Sequence, residues 1–170
     1  MSAAQTTRID TTKVTNRRKV HFTSLDELLA DAEQLVALDG QGRVQPLGNM
    51  SLGQALGHLA LWMHSCIDGI PVDPPWFIRI AGRLLKRSIL RGGLRPGVKL
   101  PPDAEKQLVP TPSITSSEGF NQLSTACARL RREGKRVPSP VFGVLTLEEW
   151  DTMHLRHAEL HLSFMETTPV

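Results

Sequence analysis

Apolar residues recur at helical spacing along most of the chain. Leu25, Leu28, Leu29, Ala32, Leu35 and Val36 form one stripe that stops at Gly40, and Ser24 with Glu27 reads as a capping box that starts it. Residues 20–22 precede this helix as a short extended piece, and residues 1–19 read as a flexible arm. A second helix opens with the pair Ser51 and Gln54. It carries Leu52, Ala55, Leu56, Leu59, Trp62, Met63, Cys66 and Ile67 on its apolar face and ends near Gly69 and Pro71. A third, basic helix is expected from 75 to about 90, with Pro75 in its first turn and Gly92 and Gly93 after its end.

Residues 91–115 hold five prolines and three glycines, so little regular structure beyond a turn is expected there. A loop of this length inside one domain is expected to pack over the bundle near its functional site. Phe120, Leu123, Cys127 and Leu130 mark a further helix, capped by Ser116 or Ser117 and released at Gly134. The last helix starts at Thr146, whose box Glu149 closes, and runs to about Met165. No stretch of useful length alternates with period two, which makes the class all-α: a flexible arm over 1–19 and one helical domain over 20–168.

Composition changes this picture little. At 170 residues, 40% of them hydrophobic, the chain can bury a core without disulfides or a structural metal, and with 5% aromatics that core should be aliphatic. Cys66 and Cys127 stand far apart in apolar patterns and read as small buried hydrophobes. The polar N-terminus has no apolar run of the kind that targets or spans a membrane, so a cytoplasmic protein without a membrane partner is expected. A formal charge of +3 is too small a bias to argue for nucleic acid. The basic run Arg129, Arg131, Arg132, Lys135 and Arg136 suits the negative end of its helix, and neither it nor the cluster from Arg83 to Arg95 is interleaved with base-stacking aromatics.

The chemistry concentrates in the last helix. Leu147, Trp150, His154, His157, His161 and Phe164 share one stripe, so three imidazoles stand where periodicity calls for aliphatics. Glu148, Thr152, Arg156, Glu159, Ser163 and Glu166 fall on the opposite face, which is expected to meet solvent. A buried imidazole needs a hydrogen bond, a metal or water. His157 and His161 are one turn apart, the spacing that lets two imidazoles bind one ion. The segment HAELH differs from the HExxH of zinc proteases, because Glu159 lies about 200° around the helix from His157 and cannot serve as that base. His58 of the second helix, bordering its apolar stripe between Ala55 and Trp62, is the candidate third ligand. His64 and His21 read as peripheral. Around the three ligands, His154, Gln54, Trp62 and Trp150 are expected to touch them or to line a pocket.

The segments NMSLGQALGHLALW, FGVLTLEEW and HLRHAELHLSF resemble the DinB and YfiT-like superfamily, in an uncharacterised branch, with a likeness that runs from about residue 20 onward. The resemblance implies an up-down-down-up four-helix bundle, here with an extra basic helix and a long Pro/Gly-rich loop. It also implies one divalent ion on His58, His157 and His161. Where better-known members have Arg-Gly-Gln after the last histidine, this chain has Leu162, Ser163 and Phe164.

Three neutral imidazoles leave a tetrahedral ion an open position, the arrangement of catalytic sites. The expectation is a zinc- or nickel-dependent enzyme of thiol-dependent transferase or hydrolase type, the thiol chemistry resting on the resemblance alone. Its partners would be a small-molecule substrate with a low-molecular-weight thiol, and a homodimer is the other association considered. No side chain stands out as a catalytic nucleophile or base. The alternative is a non-catalytic bundle that binds a small ligand or a partner.

Overall fold

A computed structural model describes residues 8–70, 72–98 and 101–168, so residues 1–7 of the arm lie outside it. Among the described residues the chain is mostly helical, with six α-helices and one two-stranded sheet. The helices are α1 Leu25–Asp39, α2 Leu52–Asp68, α3 Trp76–Gly92, α4 Pro102–Leu108, α5 Ser116–Arg132 and α6 Leu147–Leu162. Strands β1 Val44–Pro46 and β2 Met165–Thr167 pair antiparallel, with Gln45 opposite Glu166. No helix among the described residues is long and apolar enough to cross a membrane.

Helix starts follow the caps. Ser51 and Thr146 each accept from the backbone N–H three residues on, while Gln54 and Glu149 reach back to the cap's own N–H. At α1 the Ser24 hydroxyl accepts from Glu27 N–H, and the Glu27 carboxylate takes the N–H of Thr23. The cap of α5 is Thr115, one residue earlier than expected. Its hydroxyl and Glu118 form the reciprocal pair that neither Ser116 nor Ser117 could make with a glutamate at the right spacing.

Three local expectations need correction. The proline-rich stretch contains α4, because Pro101 and Pro102 stand where a helix needs no N–H donor and Asp103 and Glu105 suit its positive end. The last helix stops at Leu162, and Met165–Thr167 turns into a strand whose partner lies just before α2. Finally, the back of α6 is covered: Arg156 is buried, donating to the carbonyl of Phe22 at 2.7 Å, and Glu159 accepts from Phe22 N–H at 2.7 Å and pairs with Arg156 at 3.0 Å. Periodicity along α6 could not show that the 17–22 segment lies across this face.

Helices α1 and α2 pack on each other and each packs on both α5 and α6, and the contact of α2 with α5 is the most extensive. Their core is aliphatic, with Leu28, Leu35, Leu56, Leu59, Leu123 and Leu162 fully buried. Cys66 and Cys127 are free thiols within it, and burial pushes them up to about 11 and about 12. The sheet, together with Leu47 N–H on Phe164 carbonyl at 2.9 Å, ties the end of α6 to the approach to α2. That tie sets where the histidines of α6 stand relative to His58.

Candidate metal centre

His58 is in the second turn of α2, 2% exposed, with its Nδ1 2.6 Å from the carbonyl oxygen of Leu108 at the end of α4. A carbonyl can only accept, so Nδ1 carries the proton and Nε2 presents its lone pair. An imidazole held in this way is oriented as metal-binding histidines are, the backbone oxygen setting both tautomer and ring plane.

The rings of His157 and His161 stand one turn apart on α6, with Nε2 atoms 3.0 Å from each other. Their centroids lie 5.1 and 4.7 Å from that of His58. One nitrogen from each of the three rings falls within 4.8 Å of the other two. Two ligands about 2.0–2.1 Å from an ion, at roughly 90–110° to each other, are about 2.9–3.4 Å apart. The 3.0 Å gap therefore fits two lone pairs aimed at one cation as well as it fits a hydrogen bond.

Electrostatics keep the set neutral. Burial, opposed by the Leu108 hydrogen bond, holds His58 below the ordinary imidazole range. Burial and then the neighbouring His161 and His58 push His157 well down, and burial with His58 pushes His161 down to about 3. Neutral imidazole is the form that binds metal, so at neutral pH no proton has to leave before coordination.

The cluster opens onto a largely apolar cavity of about 930 Å³. Trp62 of α2, Ile78 and Leu85 of α3, and residues 94–98 line it together with the histidines. The proline-rich stretch thus contributes both cavity wall and the carbonyl on His58. His154 lines the cavity too, but its Nε2 faces the Cys66 sulfur at 3.4 Å and its ring stacks on Trp150, with centroids 5.5 Å apart. The edge of Trp62 meets His157 at 5.5 Å. Gln54 is engaged elsewhere: it closes the α2 cap and donates to the Pro110 carbonyl at 3.1 Å, away from the cavity. His64 sits beside Arg129, and His21 is 3.1 Å from Glu159 on the covered back of α6.

Two contributors left no signal as candidate site residues. The Leu108 carbonyl is backbone and belongs to no motif. The inner face of α3 shows as an amphipathic pattern, but which cavity it covers does not follow from spacing.

No curated protein and no solved structure matches the chain. Residues 14–168 match a family described as "Protein of unknown function (DUF1569)", a span that includes all three histidines. The chain belongs to the DUF1569 family.

Proposed function

We propose that His58, His157 and His161 hold one divalent ion and that the protein is a metal-dependent enzyme acting on a small molecule in the adjoining cavity. The observation that carries this reading is the convergence of three neutral imidazole nitrogens within 4.8 Å, one of them oriented by the Leu108 carbonyl. Zinc or nickel suits an all-imidazole site. A bound ion would supply a Lewis acid that lowers the pKa of a water or of a substrate thiol. The side chains contribute orientation: Trp62 and Trp150 flank the histidines, and the cavity wall beside them is largely apolar. The reaction class proposed is thiol-dependent group transfer or hydrolysis, in the cytoplasm. The frame proposed is the up-down-down-up bundle of DinB and YfiT-like proteins, supported by the packing of α1 and α2 on each other and on α5 and α6.

A second reading, a binding protein without turnover, is favoured by the cavity's few charges. Among the described residues that line it, the carboxylates are Asp10, hydrogen-bonded to Thr12, and Glu105, paired with Arg8. The test is elemental analysis of protein purified without added metal, followed by a screen with thiol cosubstrates. About one divalent ion per chain is expected, falling to background in His157→Ala/His161→Ala. Full metal content in that double variant removes the site assignment. A loaded protein that turns over no thiol-dependent or hydrolysable substrate favours the binding reading.

A further inference from the structure

Helix α3 lies outside the packed core, and Gly82 is its one buried residue. Its inner side, through Ile78, Leu85 and Ile89, faces the cavity. Its outer side carries large apolar groups in water: Trp76 is 72% exposed, Phe77 55%, Ile80 49% and Leu84 79%. At about 100° per residue these four fall within one arc of roughly 100°, with Arg87 and Arg91 between them and Arg79 and Arg83 along one edge. The helix has no Asp or Glu. Lys86 is paired with Glu149 at 2.7 Å, whereas Arg79, Arg83, Arg87 and Arg91 have no carboxylate partner among the described residues.

We propose that the outer face of α3 docks the protein on the surface of an anionic lipid bilayer. Three features point to a bilayer and not to another occupant. Aromatic and aliphatic side chains at one helix face enter the acyl boundary, while arginines extend their heads to the lipid phosphates. The unpaired arginines are complementary to an anionic surface, and the same charges repel when two copies of this face are apposed, which disfavours a symmetric pair. Ile80 and Leu84 cannot stack on bases, which disfavours nucleic acid. Docking of this kind runs against the expectation of no membrane partner, which rests on the lack of an apolar run; a helix lying on the surface needs no such run.

The test is co-sedimentation of the full chain with vesicles of phosphatidylcholine alone and of phosphatidylcholine with phosphatidylglycerol, at low and high salt. Binding is expected to the anionic vesicles only, weakened by salt, with brominated lipid quenching the emission of Trp76. Leu84→Glu and Ile80→Glu, both at exposed positions, are expected to weaken binding about tenfold or more with unchanged circular dichroism. Arg79→Gln and Arg87→Gln should each weaken it roughly fivefold. The proposal is overturned if anionic vesicles are not bound, or if Leu84→Glu binds them as well as the native chain. It is equally overturned if the chain ignores vesicles and forms an oligomer that Leu84→Glu dissociates, since a second copy then covers the face. Metal content tests the histidine cluster and not this face, so a failure there leaves the vesicle result standing.

Discussion

Each buried imidazole of α6 is neutral for a reason that can be read from its surroundings. His154 is the clearest case outside the ligand set: 3% exposed, stacked on Trp150 and facing the Cys66 sulfur, it is pushed down to about 3 by burial and then by the charge of Arg136. The unfolded chain takes up this proton near pH 6.5, the folded chain only near 3. Between those values the unfolded state binds more protons, so stability is fully present above pH 6.5 and is lost as pH falls toward 3. In metal-stripped protein His154 alone should contribute a slope of about 1.4 kcal/mol per pH unit over much of that window. Chemical denaturation at several pH values should show His154→Leu with a slope smaller by about one proton. An unchanged slope would mean that His154 is already protonated in the folded protein, or that it is as accessible as in the unfolded chain.

At the scale of elements, the mutual placement of α2 and α5 rests on glycine. A Cβ on Gly53 would lie 2.4 Å from the Ile114 carbonyl oxygen and 2.6 Å from that of Thr115, and one on Gly119 would lie 2.5 Å from the carbonyl oxygen of Gly53. These neighbours are backbone and cannot rotate away. Alanine is the better helix former by about 1 kcal/mol, yet overpacking typically costs 1–3 kcal/mol, and rigid backbone puts this site at the upper end. Gly53→Ala is therefore expected to destabilise by about 1–2 kcal/mol net, read as a lower thermal midpoint. A gain in stability would show that the start of α5 can slide along α2. The same reasoning explains why α2 tolerates glycines inside its helix: they let the 110–119 segment come close enough for Pro110 to take the Gln54 amide.

For the whole molecule, α4 brings the proline-rich stretch against the histidine cluster. Leu108, 1% exposed, anchors the end of this helix, and its carbonyl holds His58. Leu108→Ala should cost about 2–5 kcal/mol as a buried truncation. Because it loosens the group that orients His58 without removing any ligand, metal affinity should fall about tenfold or more. Competition against a chelator, followed calorimetrically, measures this. Unchanged affinity beside the expected loss of stability would show that His58 keeps its orientation without the carbonyl.

Sequence by itself determined the features that are written locally. Capping pairs mark α1, α2 and α6, apolar stripes mark these and α5, and the spacing of His157 and His161 places them on one face, because a helix turns by a constant angle and local order suffices to find who is beside whom. The choice of His58 as their partner came from its place at the edge of the α2 stripe and from resemblance. Its distance from the pair was decided by α2 packing on α6 and by the β1–β2 tie. Tertiary structure alone decided the rest. Seven residues of α4 and three in each strand are too short to show a period, and their stability comes from contacts distant in sequence. Glu159 and Arg156 face outward on their own helix and are covered only because residues 17–22 cross that face. A backbone carbonyl has no side-chain identity, so which one would hold His58 depended on the path of the loop, and that path is set by long-range packing.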